Sequence, residues 1–271
     1  MKKTIVITGA SSGIGKATSK HFANLGWNVA ATMRTPQNET ELNEIDNINL
    51  YPLDVTNESS IEKATEQIIN DFGTINVVLN NAGYGLLGTF EAASQEAIRQ
   101  QFDTNVFGLM NVTRAFLPHF RENGSGTFLN VSSIGGVITF PMMSLYHSSK
   151  WAVEGFSESL AYELGQLGIQ VKLIEPGGVS TDFGGRSMSY ATKEGLTDYD
   201  EASNLFNANI AKTGMQYSTA GYIAEGIYNA ATDGTTNLRY QLGLDAEELY
   251  ANRRKTGDQE FVNYMKAQMF D

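Results

Sequence analysis

Thr8-Gly9-Ala10-Ser11-Ser12-Gly13-Ile14-Gly15 is the stretch on which the fold turns. An apolar, β-branched run at residues 4–8 leads into it, and a helix is expected from about Lys16 to Leu25. Glycines at such a junction let the backbone turn tightly and approach a pyrophosphate. The anion then sits on the helix N-terminus, where free N–H groups and the dipole favour negative charge. The spacing here is Gly-x-x-x-Gly-x-Gly rather than the commoner G-x-G-x-x-G. Among 27 glycines some clusters arise by chance, so the strand-to-helix position carries the reading.

Outward from that turn, short apolar runs recur at residues 27–32, 48–53, 75–80, 126–131, 169–175 and, more weakly, 238–242. Continuous apolar character suits strands buried on both faces of a parallel sheet. Helix-length segments such as 59–71 and 151–167 separate them. Strand–helix alternation predicts an α/β fold of Rossmann type, a doubly wound and mostly parallel seven-stranded sheet with helices on both faces. The interval between the fourth and fifth strands has room for two helices, near 96–107 and 109–121. A second long interval, about 182–216, carries Gly184, Gly185 and Gly195 beside Tyr190, Tyr199 and Phe206. A late insertion of that kind reads as a substrate-binding lid. No repeat, low-complexity stretch or Pro/Gly-rich boundary divides the chain, so one domain over residues 1–271 is expected.

Composition narrows the partners. Thirty acidic against 19 basic residues give a net charge of −11. Such a surface repels phosphate backbones and anionic lipid, so neither nucleic acid nor a membrane surface is an expected partner. Cysteine is absent, which removes disulfides, thiolate catalysis and Cys-ligated metals, and no metal site is expected. The N-terminal apolar run ends at Gly9, short of the ~7–15 residues of a signal h-region, and no run approaches the ~18–20 residues of a membrane span. A cytoplasmic location is expected.

Two chemistries compete for the glycine turn. Gly9-Ala10-Ser11-Ser12-Gly13 also spells the G-x-S-x-G elbow of serine hydrolases. Against that stands the turn's position on the first strand, with no earlier loop to form an oxyanion hole. His21, His119 and His147 also offer no well-placed late base.

Tyr146-His147-Ser148-Ser149-Lys150 favours the other chemistry. Positions i and i+4 share a helical face, so the ammonium can stand beside the phenol. A free phenol has a pKa near ~10, and a fixed cation favours its phenolate and lowers that value. Of 12 tyrosines only Tyr146 has Lys four residues on, while Tyr250 has Arg254 there. One such pair is unremarkable alone. The strand at 126–131, however, ends in Ser132-Ser133, at the sheet edge where such folds bind ligands. A hydroxyl there can donate to a substrate oxygen; the local pattern does not choose between the two serines.

Taken together, these segments resemble the short-chain dehydrogenase/reductase family in its single-domain branch, from Thr8 to about Thr181. The marks are Thr8-Gly9-x-x-x-Gly13-Ile14-Gly15, Asn80-Asn81-Ala82-Gly83, Asn105, Ser133, Tyr146-x-x-x-Lys150 and Pro176-Gly177. The resemblance implies catalytic roles for Asn105, Ser133, Tyr146 and Lys150. Tyr146 would be the general acid/base and Lys150 would lower its pKa and hold the nicotinamide ribose. Ser133 would orient the substrate, and Asn105 would break a helix and anchor a water. Cofactor contacts are implied for Gly9, Ser11, Ser12, Gly13, Ile14 and Gly15 in the turn, and for Asp54 and Val55 at the adenine. They are implied too for Asn81, Ala82 and Gly83 at the adenosine ribose, for Pro176, Gly177 and Val179, and for Thr181 at the carboxamide.

An acidic residue ending the second strand would select NAD(H) by gripping its ribose 2′-OH. The segment here is Ala30-Ala31-Thr32-Met33-Arg34. It has no carboxylate and offers a guanidinium suited to a 2′-phosphate, so NADP(H) is the expected cofactor and NAD(H) the less favoured one. The implied activity interconverts a secondary alcohol and a ketone, or an aldehyde. Ser133, Met142, Tyr146 and Phe183 are the candidate substrate contacts. With Gly135, Val137, Phe140, Met143, Met188 and Tyr190 they suggest an apolar pocket for an apolar or aromatic carbonyl compound. A homodimer or homotetramer is implied through the helices near 109–121 and 151–167. The rival readings are a non-catalytic NADP(H)-binding sensor on the same fold and the serine hydrolase; the glycine spacing argues against an epimerase or dehydratase.

Overall fold

Short apolar runs pair side by side when both faces of the sheet are covered, and that is what the chain does. The computed structural model describes residues 2–181, 187–212 and 217–271. Its main sheet has seven parallel strands: β1 (Thr4–Ile7), β2 (Asn28–Met33), β3 (Ile48–Pro52), β4 (Val77–Asn80), β5 (Gly126–Val131), β6 (Ile169–Pro176) and β7 (Arg239–Leu242). They lie in the order β7-β6-β5-β4-β1-β2-β3. Ile5 pairs with Val29 on one side and Val77 on the other, and Phe128 sits between Val78 and Val171. Strand order reverses between β1 and β4, so a crevice opens beyond their carboxyl ends. The seven expected strands are all present.

Helices cover both faces. On one, α1 (Gly13–Asn24) and the later helix Ala220–Thr232 bury Phe22, Ile223 and Ile227 against Ile5, Ile7 and Val29. On the other, α2 (Glu58–Phe72) lies beside a long helical run and the helix Ser144–Gly165, burying Ile61, Phe116, Phe120 and Leu160 against Val6, Val78 and Phe128.

That long run departs from the sequence expectation. Instead of two helices meeting near residue 108, α3 (Gln95–Phe102) passes through a π-helical stretch, Asp103–Gly108, straight into α4 (Leu109–Asn123). The cause is Asn105. Its carboxamide bonds both backbone groups of Tyr84, accepting from the N–H at 3.0 Å and donating to the carbonyl at 2.8 Å. A side chain held so firmly by another segment widens the turn that carries it. The next helix, α5 (Ser144–Gly165), joins the expected helical face at Tyr146–Lys150 and the segment 151–167 into one continuous helix.

The remaining elements form the far wall. They are α6 (Asp200–Lys212), α7 (Ala220–Thr232), α8 (Leu244–Thr256) and α9 (Asp258–Phe270). Phe206, Ala246, Phe261, Met265 and Met269 from this group pack with Ile134 and Ile138 in a core separate from those of the sheet. The described part of the long insertion is tied down at several points. Residues Met188–Tyr190 pair in parallel with Gly85–Leu87, and Tyr199 donates to Glu91 at 3.1 Å.

Candidate active site

The glycine turn is interlocked with the segment after β4. Thr8 Oγ1 accepts the N–H groups of Asn81 and Ala82 at 2.9 and 3.0 Å, and Asn81 Nδ2 donates to the carbonyls of Thr8 and Gly9 at 2.8 and 3.1 Å. Gly9 has φ +67°, and a Cβ there would come within 2.9 Å of Ala82 Cα. A Cβ on Gly15 would lie 2.4 Å from the Gly9 carbonyl oxygen. Only hydrogen fits at either position. Gly13, at φ +53°, opens the first turn of α1, and Ser12 occupies the N-cap without using its side chain as a cap. No acidic residue stands in that first turn, so the free N–H groups of the helix end face a cleft ready for an anion.

The cleft has a volume of about 1040 Å³ and follows the carboxyl ends of the strands. Gly9, Ser11, Ser12, Gly13 and Ile14 form its floor at the turn; Arg34, Asp54 and Val55 border one end. Asn81, Ala82, Gly83, Ser133, Tyr146 and Lys150 line its middle, and Pro176, Gly177, Val179 and Thr181 line the opposite bank. Gly15 and Asn105 stand behind the lining, as supports. Met142 does not reach the cleft and faces a separate shallow recess with Phe90 and Tyr199. Phe183 lies outside the described residues. Of the other expected apolar wall, Gly135, Phe140, Met143 and Met188 line the cleft, Val137 packs into the far-wall core, and Tyr190 is exposed.

The reactive groups converge in the middle. Tyr146 is 9% exposed. Burial pushes its phenol above the ordinary value, and a hydrogen bond with Ser133 works against that rise. The two-serine ambiguity is thereby resolved in geometry: Ser133 reaches the phenol, while Ser132 is buried beside Glu154. Lys150 Nζ stands 5.8 Å from the Tyr146 ring centre and donates to the Val131 carbonyl at 2.9 Å. Burial pulls its pKa down to about 8, and Glu154 opposes the shift. Asn105 Nδ2 reaches Ser149 Oγ at 3.2 Å, which in turn donates to the Tyr146 carbonyl at 2.7 Å. The π-helical stretch and the first turns of α5 therefore hold one another. Burial is the larger influence on the phenol, and it acts in the direction opposite to the one expected of Lys150.

A family model described as short chain dehydrogenase matches residues 3–190. The chain belongs to the short-chain dehydrogenase family. It is 40% identical over 237 residues to an oxidoreductase of Schizosaccharomyces pombe, covering 88% of this chain and 99% of that relative. A short-chain dehydrogenase from Streptomyces avermitilis superposes with a TM-score of 0.84 at 30% identity, covering 98% of each chain. The structure of ElxO with NADP bound superposes with a TM-score of 0.74 at 28% identity, over 89% of this chain and 98% of that one. The protein is thus an oxidoreductase of this family, and the seven-stranded Rossmann-type sheet is the family's fold.

The hydrolase reading finds no base in this short-chain dehydrogenase. His147 Nδ1 meets the Gly135 carbonyl at 2.8 Å while its Nε2 accepts from Phe140 N–H at 2.9 Å, so both ring nitrogens are committed. Burial lowers its pKa, which keeps the ring neutral. His119 accepts from Ile75 N–H, and His21 packs edge-on against Tyr228. Among the described residues no helix is long and apolar enough to cross a membrane, and no cluster could hold a metal ion.

Three groups at the site escaped the sequence. His147, through its two ring nitrogens, pins the 135–140 segment over the cleft. Asp245, on the first turn of α8, accepts from Gly178 N–H at 2.6 Å and ties the far wall to the Pro176–Gly177 bank. Glu154 sits one turn after Lys150 on the same face of α5, a spacing that the pattern Tyr146, Lys150, Glu154 displays at intervals of four.

Proposed function

We propose that the protein is an NADP(H)-dependent oxidoreductase that interconverts a secondary alcohol and a ketone, with Tyr146 as general acid/base. The observation that carries this is the convergence of one buried phenol, one hydroxyl and one ammonium, Tyr146, Ser133 and Lys150, in the cleft that begins at the glycine turn. In the reducing direction the Tyr146 phenol gives its proton to the substrate oxygen, while the Ser133 hydroxyl donates to the same oxygen and holds it in place. In the oxidising direction the phenolate takes the proton back. Burial keeps the proton on the phenol at neutrality, and an ammonium at Lys150, 5.8 Å from the ring centre, would favour the phenolate when it forms. When bound, the nicotinamide supplies or accepts the hydride.

The residues present fit that cofactor. Glycines that admit no methyl let the backbone approach a pyrophosphate, and the uncapped end of α1 receives its charge. Arg34 is exposed, directly follows β2 and has no ion-pair or hydrogen-bond partner among the described residues. Lys16, the other basic group nearby, is held by Glu39 at 3.0 Å and Glu41 at 2.7 Å. Arg34 is therefore the group left for a 2′-phosphate, and the NADP bound to ElxO supports the same reading. Ile134, Phe140, Met143, Met188, Ile210 and Leu249 give the substrate end an apolar wall, which suits an apolar or aromatic ketone of medium size. Exposed Tyr162, at 73%, lies on one of the two long helices through which a homodimer or homotetramer is implied, and Phe107, at 53%, on the π-helical stretch leading into the other.

Following NADPH absorbance against a panel of apolar and aromatic ketones tests the reading. Tyr146→Phe should lower turnover by about a thousandfold with NADPH affinity unchanged. Turnover that survives in a folded, cofactor-loaded Phe variant overturns it, and a protein that binds NADPH but turns over no ketone is the sensor.

A further inference from the structure

Behind the catalytic face of α5 lie two carboxyl groups that the reaction above does not use. Glu154 and Glu175 have side chains 6% and 0% exposed. They face each other within hydrogen-bonding reach, Glu154 from α5 and Glu175 from β6. The groups around them come from every element packed there. Arg239 on β7 puts Nε 3.1 Å from Glu154 Oε2 and 3.3 Å from Glu175 Oε1, and spends another nitrogen on Glu158 at 2.6 Å. Gln241, also on β7, donates to Glu175 Oε2. Ser132 stands beside Glu154 at the end of β5, and Lys150 is one turn back on α5.

The charge balance does not close if both carboxyls are ionised. One guanidinium, already shared with Glu158, would face two buried carboxylates in mutual contact. Like charges so placed cannot both stay ionised out of water. Glu154 Oε1 and Glu175 Oε1 are also buried acceptors without a well-formed hydrogen bond, and only the Ser132 hydroxyl, beside Glu154, offers either of them a further donor. A proton between the carboxyls supplies another. Burial and the neighbouring carboxyl push Glu175 up to about 8, and burial raises Glu154 too.

The geometry points to Glu154 and Glu175 sharing one proton at neutral pH, with the singly charged pair acting as the positioning group that holds Lys150 in its ammonium form. Glu154 is the nearer carboxyl, and it is the one that supports the lysine's charge against burial. The second half of this inference rests on the role proposed for Lys150 in holding the nicotinamide ribose. The first half does not.

Two measurements separate the halves. Infrared spectroscopy of the wild-type protein should show a buried carboxylic-acid carbonyl band at pH 7 that fades as pH rises through about 8. Glu154→Gln and Glu175→Gln should each remove it, because the carboxyl left behind keeps Arg239 to itself and ionises. No such band in the wild type, or a band surviving in both variants, overturns the shared proton. The wild-type titration alone decides the point if a variant fails to fold.

NADPH fluorescence titration across pH reads the lysine. Removing the anion nearest Lys150 lowers its pKa, so near pH 8 Glu154→Gln should bind NADPH about threefold or more weaker than wild type, with about equal affinity near pH 6.5. Glu175→Gln leaves a single charge on Glu154 and should keep the wild-type profile up to about pH 8. A purely structural pair would weaken both variants alike at every pH, and that result overturns the positioning role. A wild-type protein that binds no NADPH sinks the functional proposal and the positioning role together, while the infrared arm still decides the proton.

Discussion

The two ends of the cleft are built on different principles. At the cofactor end, short polar side chains grip backbone: Thr8 Oγ1 accepts the N–H groups of Asn81 and Ala82, Asn81 Nδ2 donates to the Thr8 and Gly9 carbonyls, and no methyl fits on Gly9 or Gly15. At the substrate end, side chain meets side chain: Phe206, Phe261, Met265 and Met269 fill the space against Ile134 and Ile138. An interlock of side chains on backbone, closed over positions with no space for a Cβ, narrows the residue types each position accepts. An apolar cluster rich in methionine accepts many, because methionine adapts its shape and volume-conserving swaps cost little. On the function proposed above, the first end would fix where a dinucleotide lies, and the second would constrain the substrate's shape less tightly.

The sharpest way to break this contrast is Gly15→Ala. The added methyl meets the Gly9 carbonyl at 2.4 Å and Asn81 Nδ2 at 2.6 Å, so the turn must open and its bonds to Asn81 must go. Overpacking against backbone of this kind costs about 3 kcal/mol. If half or more of that falls on the binding-competent turn, NADPH affinity drops ten- to a hundredfold by the usual conversion of about 1.4 kcal/mol per decade. Isothermal titration with NADPH checks it, and wild-type affinity in the variant would mean the interlock is softer than its geometry. Arg34→Ala probes the same end at an exposed point. The wild-type protein should bind NADPH at least about tenfold tighter than NADH, and the variant should lose most of that preference through the missing charge-assisted bonds. Equal wild-type dissociation constants for the two cofactors count against Arg34.

The same contrast explains what the sequence disclosed. Strands buried on both faces announce themselves as apolar, often β-branched runs, and the edge strand Arg239–Leu242, only partly buried, was the weakest of the seven signals. Gly9, Gly13, Tyr146 and Lys150 stood out as candidates because a tight turn and a proposed proton transfer call for those residue types at those intervals, whereas the choice of Ser133 over Ser132 rested on the family resemblance. The π-helical stretch was not, because it depends on Asn105 bonding Tyr84 across 21 positions of chain. Nor was the burial of Glu154 and Glu175, whose partner Arg239 arrives on the last strand of the sheet. Met142 lies away from the cleft for a related reason. It is adjacent in sequence to a cleft residue, Met143, but its backbone turns it away.

That turn supports the smallest and most discriminating test of the substrate end. Met142 has φ +59°, the one non-glycine residue with positive φ among those described. Its carbonyl accepts Gly88 N–H at 2.8 Å, and its side chain packs beside the far-wall core. A left-handed conformation costs an L-residue about 1 kcal/mol or more. The constraint must therefore come from the surrounding contacts, four residues before Tyr146. Met142→Ala removes the packing and keeps the strain, whereas Met142→Gly removes both. In ordinary loops alanine is the more stable of the two, because glycine gains more freedom on unfolding. Here the order should invert, with the glycine variant more stable than the alanine variant by about 0.5–1 kcal/mol in denaturant midpoints. Alanine proving the more stable would show that the strained backbone relaxes in solution, and the substrate end would then be as loosely held at its backbone as it is at its side chains.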